Sequence, residues 1–490
     1  MKRFRIGRVA GRWKNFLPPI QGGRYRQLID DVPTEDLESC NGDSSSQGTS
    51  PPQSPLFDRT SPRKEERGFR RRSNPEFSDD SSMSSISALD IPAIDVTKRI
   101  SHMDIYTQRA IDLDASRYPS LDSHTQDEIV RKYRLLYQRI VAEGLFQCNY
   151  WAYMLELCRY LGLFILFLVS LRFGWFAASG LFLGLLWHQL VFTVHDAGHM
   201  GITHDFQTDT IIGILIADFI GGLSLGWWKL NHNVHHVVTN SPEHDPDIEH
   251  MPFFAISHRF FNSLRSTYYE RVMTYDAMAK FMIRYQNYLY YPILLFGRFN
   301  LYRLSWVFLI CGQGPKKGPA KWHRWFEITG QLFFWLWFGY LVMYKSIPTM
   351  GSRLVFLFVS HMTTAPLHVQ ITLSHFAMST ADLGIDECFP QKMLRTTMDV
   401  DCPPWLDFLH GGLQHQAIHH LYPRIPRHNL RTTQKLVQDF CREVGIPYAL
   451  YGFVDGNKEV ISKLAEVGRQ AAILAECQRT IAESQPIHLD

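Results

Sequence analysis

Apolar positions in this chain follow two patterns, a one-sided helical stripe and continuous runs. Over 124–144 (HTQDEIVRKYRLLYQRIVAEG) they recur at helical spacing with charges between them, which predicts an amphipathic cytosolic helix. Segments 152–172 and 174–194 are continuously apolar and each long enough to span a bilayer. Only Arg172-Phe173-Gly174 joins them, so they predict a helical hairpin that returns the chain to its starting side. Segments 328–346 and 352–372 predict a second hairpin. The stretch 211–226 is apolar but short, with Asp218 and paired glycines, and reads as a re-entrant or interfacial piece. The stretch 285–310 is aromatic with arginines spaced through it and reads as lying along the interface. Residues 36–100 are rich in Ser, Pro, Asp and Arg. They cannot bury enough apolar surface to offset their ordering entropy and read as a disordered linker.

The expected organisation is a short segment at 1–35, the linker at 36–100, a cytosolic amphipathic helical segment at 101–150, a membrane domain at 151–475 and a tail at 476–490. The expected fold class is an all-α integral membrane protein, with two transmembrane helical hairpins (four spans) and a cytosolic helical cap.

Charge and cysteines narrow the function classes. A net charge of +3 gives no reason to expect nucleic-acid binding. The eight cysteines are scattered without a CxxC pair, which argues against a disulfide framework and a zinc ribbon. The first residues, MKRFRIGRVAGRWKNF, contain no apolar run of a secretory signal, so an internal helix must direct insertion.

The candidate chemistry lies where the apolar runs end. Three clusters follow or flank them: His195-Asp-Ala-Gly-His199, His232-Asn-Val-His235-His236, and Gln416-Ala-Ile-His419-His420. In the first two the histidines are three or four residues apart, so on a helix they leave from one face. Neutral imidazole suits iron, zinc, copper and nickel. No thiolate or clustered Glu accompanies them, which disfavours a structural zinc site, and this many nitrogens exceed what one ion takes. Two hairpins place all three clusters on one side of the membrane. Lys316, Lys317, Lys321 and Arg324 precede the third span on that side, which makes it cytosolic. Of the nearby carboxylates Asp196, Asp245 and Asp247, Asp196 sits between two candidate ligands and is the expected acceptor from a metal-bound imidazole.

These clusters resemble the three histidine boxes of the membrane fatty-acyl desaturase and hydroxylase superfamily. Gln416 followed by HHLYPRIPRHN (419–429) resembles the front-end desaturases, as do HDAGH and WWKLNHNVHH (227–236). VFTVHDAGHMGITHDF, NSPEHDPDIEHMPFF, SHFAMSTADLG and HGGLQHQAIHHLYP are similar to the fungal sphingolipid Δ8-desaturases. The resemblance implies a di-iron centre (two Fe2+) on His195, His199, His232, His235, His236, His419 and His420. It adds His375, because Ser374-His375 matches the family's extra ligand on the last span. His368 has no clear family role, and His204 and His415 are expected to act locally. Gln416 and Asp196 are the expected non-ligand site residues.

The implied activity is O2-dependent desaturation of the long-chain base of a ceramide-type lipid in the endoplasmic reticulum membrane, with boxes and both termini cytosolic. Front-end members usually carry a fused cytochrome b5 domain with a His-Pro-Gly-Gly haem loop, and no HPGG occurs here. Residues 1–22 resemble the closing segment of such a domain. The expectation is therefore no haem in this chain, with electrons from cytochrome b5 and its reductase in trans. Two other readings remain at this point: a front-end fatty-acyl desaturase or hydroxylase, and a catalytically silent truncated membrane protein.

Overall fold

The computed structural model describes residues 20–21, 24–25 and 102–484. The expected linker at 36–100 lies outside the described residues. So does the 1–35 segment, except for a two-residue antiparallel pair, β1 (Ile20–Gln21) and β2 (Arg24–Tyr25). After α1 (His102–Arg117) comes α2 (Ser123–Ala142), the expected amphipathic helix. The Asp122 side chain caps it by accepting from the Thr125 amide at 3.0 Å. One stripe, Ile129, Leu136 and Ile140, packs into a core shared with the third histidine cluster.

The first hairpin is α3 (Tyr150–Arg172) and α4 (Phe176–Gly198), turned at Gly174 with φ +75°. α4 is the central helix of the membrane part. On its next face, Gly180 and Gly184 stand one turn apart against the fourth span. A Cβ at Gly180 would lie 2.8 Å from the Phe356 carbonyl oxygen, and one at Gly184 2.5 Å from that of Ser360. Small residues at i and i+4 let two membrane helices approach this closely, where lipid supplies no hydrophobic drive.

α5 (Phe206–Ile214) runs on through a π-helical turn to Ile220, then bends by 118° into α6 (Leu225–Val238). This is the interrupted stretch expected near 211–226. The bend frees the first amides of α6, and two buried carboxylates take them. Asp218 accepts from the Leu225 amide at 3.3 Å and Glu327 from the Gly226 amide at 3.0 Å. α6 carries the second histidine cluster, so this clamp sets its starting point.

α7 (Ala277–Arg284) leads to α8 (Gln286–Leu295) and α9 (Gly297–Ile310), a second pair bent by 66°. α10 (His323–Phe334), extended by a π-helical segment to Ser346, returns through α11 (Met350–Met362) and α12 (Ala365–Phe376). Four helical stretches are long and apolar enough to cross a membrane: Tyr150–Arg172, Phe176–Gly198, His323–Ser346 and Met350–Phe376. They are the two expected hairpins, and the chain is a multi-pass membrane protein.

The cap follows: α13 (Phe389–Thr396), β3 (Asp399–Asp401), α14 (Asp407–His410), α15 (Gln416–Leu421), α16 (Arg427–Val444), β4 (Leu450–Gly452) and α17 (Phe453–Ser484). β3 and β4 pair in parallel, a short addition to the expected all-α plan.

Candidate metal centre

Two spanning stretches deliver histidines at their ends: His195 in the last turn of α4, with His199 capping it, and His375 in the last turn of α12. α6 adds His232, His235 and His236, and the short α15 adds His419 and His420. Gly198 explains how α4 and α6 come so close. Its missing Cβ would lie 2.1 Å from the Trp228 ring, and that indole stacks on His232 with centroids 4.6 Å apart.

The imidazoles converge in two groups. His195, His199, His232 and His419 each offer a nitrogen, all within 4.8 Å of one another, and His235, His375 and His420 do the same. His236 lies between the groups. Its Nε2 is 3.1 Å from His232 Nε2 and 3.1 Å from His419 Nε2, while its ring stacks on His420 at 4.3 Å.

The surrounding bonds fix which nitrogens present lone pairs. His235 Nδ1 faces Asp245 at 2.8 Å and His232 Nδ1 faces Asp247 at 3.2 Å. A carboxylate can only accept, so each Nδ1 carries a proton and each Nε2 is the nitrogen left to face a cation. Burial opposes a charge on His235, but Asp245 and Asp247 outweigh it and raise its pKa to about 9, so a cation bound there would displace a proton from Nε2. Thr239 settles His420 by the same logic. Its hydroxyl donates to the His235 carbonyl at 2.7 Å, so its oxygen must accept from His420 Nδ1 at 3.2 Å. His420 Nε2 is therefore a buried lone pair without a protein partner, and His199 Nε2, His236 Nδ1 and His375 Nδ1 also lack one. Burial first, then neighbouring imidazoles, holds His419 and His420 well below the ordinary histidine pKa. Neutral imidazoles with orphaned lone pairs facing each other are costly alone and suited to a metal cation. The donor set fits metal binding.

Asp196 does not meet the expectation set for it. The Tyr153 hydroxyl and the Arg427 guanidinium both donate to its carboxylate, and no imidazole bond to it is seen among the described residues. The reason is helical geometry: the residue after His195 points about 100° away from it. Arg427 also donates to Glu156 and to the Phe192 carbonyl at 3.1 Å, and stands over the Tyr153 ring at 4.7 Å. This network fastens α3, α4 and α16 together behind the centre. Arg427 and Thr239 escaped the sequence reading; spacing on α6 (Thr239 is four residues beyond His235) could have found the second, and nothing local marks the first.

Gln416 is buried and lines a cavity of about 1570 Å3, and its Oε1 has no hydrogen-bond partner. The same cavity reaches His195, His232, His235 and His375. His368 also lines it but belongs to neither imidazole group. His204 lies between the carbonyls of Met200 and Phe146, at 2.7 Å from each, a local tie. His415 is buried with its Nδ1 3.8 Å from Asp399, away from both groups.

Comparison with known proteins agrees with this picture. The fatty acid desaturase family model matches residues 172–452. The chain is 62% identical over 484 residues to a Delta 8-(E)-sphingolipid desaturase of Emericella nidulans, covering 99% of this chain and 85% of that protein. It is 48% identical to one from Kluyveromyces lactis, over 98% of this chain and 83% of the relative. A Delta(8)-fatty-acid desaturase of Helianthus annuus is 36% identical over 72% of this chain and 76% of its own length.

Proposed function

The chain belongs to the fatty acid desaturase family, and from that premise we propose that it is a sphingolipid Δ8-desaturase acting on the long-chain base of a ceramide-type lipid. The observation that carries this reading is the mostly apolar cavity of about 1570 Å3, whose wall includes His195, His232, His235 and His375. An alkyl chain lying in it passes the imidazole groups. Its methylenes carry no acidic proton, so acid–base chemistry by side chains alone cannot remove hydrogen.

His195, His199, His232, His235, His236, His375, His419 and His420 would hold two iron ions (Fe2+), which when bound supply the O2-dependent oxidation. The overall reaction takes one O2, two electrons and two protons, and yields one double bond and two waters. The chain's own residues do the rest. Asp245, Asp247 and Thr239 hold protons on Nδ1 and so turn Nε2 of His235, His232 and His420 inward. The apolar cavity keeps water from the bound chain and fixes which carbons face the centre. Gln416 presents an unpartnered amide oxygen beside that chain. The electrons come from cytochrome b5 and its reductase.

The protein sits in the endoplasmic reticulum membrane with the boxes and both termini cytosolic, as the basic residues at 316–324 favour. The relatives' activities do not favour the hydroxylase or silent readings. The test is expression in a desaturase-null yeast containing free cytochrome b5, with long-chain bases profiled by mass spectrometry. Δ8-unsaturated long-chain bases are expected. Unsaturated fatty acyl chains alone, hydroxylated products or no new product would overturn the assignment.

A further inference from the structure

The reaction draws its electrons from outside, yet the imidazole groups are buried, so an electron must enter through some part of the cap. One surface has both a route and a charge. A groove of about 520 Å3 opens between α2 and the chain just beyond the third cluster, lined by Tyr133, Arg134, Tyr137, Tyr422 and Arg424. Tyr422 is two residues from His420 on the same segment. It is buried, and Tyr133 stacks on it with centroids 5.1 Å apart and planes 16° from parallel. Tyr137, 47% exposed, stacks on the same ring at 6.3 Å. The Tyr133 hydroxyl donates to the Leu421 carbonyl at 2.7 Å, which pins the stack to the segment that carries His419 and His420. An exposed ring thus stacks onto a buried one on the segment that carries the third cluster.

The charge of the groove has one sign. Arg134 and Arg424 are both exposed, and among the described residues neither has an ion-pair partner. By contrast, Arg131, Lys132 and Arg139 on the same helix are each paired with a glutamate. His204 is the third titratable side chain in the wall besides the tyrosines, and no carboxylate lines it. Among the described residues, Arg424 donates only to the His204 carbonyl, at 3.4 Å. Exposed arginines without a carboxylate partner, beside aromatic rings, are the composition of a docking surface, and they favour an acidic partner.

We propose that this groove, built by α2 and residues 421–424, is where an acidic haem protein docks to deliver electrons, with the stacked Tyr137, Tyr133 and Tyr422 lying between its haem edge and the third histidine cluster. The inference rests on the desaturase reading above for its electron demand. Each docking event moves one electron: the donor's ferrous haem is oxidised to ferric, the acceptor centre is reduced by one, and two events serve one turnover.

The test uses the full chain in nanodiscs and the soluble haem domain of cytochrome b5. Binding is titrated directly, and haem oxidation is followed in the Soret band by stopped flow. The double charge reversal Arg134→Glu with Arg424→Glu should weaken binding at least tenfold and flatten its salt dependence. Arg469→Glu, a reversal on exposed α17, should change neither. Tyr137→Ala should slow haem oxidation at saturating donor. Product formed in a single turnover with dithionite should stay at the wild-type level in all three variants, which shows that they fold. Unchanged binding and salt dependence in the double reversal would overturn the docking site. Binding is read without turnover, so a chain that binds the haem domain through these arginines but makes no Δ8 product would sink the desaturase reading and leave the docking site standing.

Discussion

The carboxylates beside the first and second histidine clusters look alike in sequence and act differently in space. Asp196 lies between His195 and His199, yet it faces Arg427 and Tyr153 behind α4. Asp245 and Asp247 lie beyond the end of α6, yet they turn back onto His235 and His232. Neighbourhood along a helix therefore says little about which groups meet. The first carboxylate holds helices together, whereas the second pair sets tautomers. The two roles separate by experiment, because one acts on stability and the other on metal affinity.

The largest effect should come from the imidazoles. His236→Ala removes the nitrogen that lies 3.1 Å from both His232 and His419, and it should abolish desaturation and deplete bound iron. Wild-type turnover in that variant would contradict the site. Next come the tautomer-setting carboxylates. Asp247→Asn should lower iron affinity about 10–100-fold, as loss of a ligand's hydrogen-bond partner typically does, with little change in thermal unfolding. Asp245→Asn should lower affinity similarly but also cost stability, because the buried Asp245 accepts from the Asn240 and Asp247 amides at 2.8 and 2.9 Å. A drop in unfolding temperature with unchanged affinity would reverse the comparison.

Arg427→Met sharpens it from the other side. The substitution leaves the buried Asp196 without its cation, while Glu156 keeps His428 at 3.1 Å, so it should cost about 3–5 kcal/mol in stability. Iron affinity of the molecules that remain folded should stay close to wild type. Denaturant titration in detergent alongside iron binding reads both. The smallest effect is expected at His368, which lines the cavity outside both imidazole groups. His368→Phe should retain iron and alter only the KM for the lipid.

Much of this architecture was legible because the membrane imposes length and continuity on its helices. The spans at 152–172 and 174–194 end in the structure at Arg172 and Gly198, the second running past its expected end because α4 stays helical until His195 has left the apolar zone. The interruption at 211–226 showed in its short apolar length and paired glycines, and the structure puts the break there, between Ile220 and Leu225, with Gly222 at φ +68°. The histidines could be listed from their spacing. Their partition into two groups, with His236 between, could not, because it depends on how α4, α6, α12 and α15 meet. That meeting rests on distant features such as Gly198 against Trp228. Arg427 was invisible for the same reason: its partners Asp196 and Glu156 lie 231 and 271 residues away.

The account stands on the histidines as one metal centre, and iron content tests that most directly. The full chain, purified without O2 in nanodiscs, should hold two iron ions, and the variant with His232, His235 and His236 all replaced by Ala should hold none while keeping its helical content. A wild-type chain that binds no iron under these conditions, or a triple variant that binds as much, would contradict it.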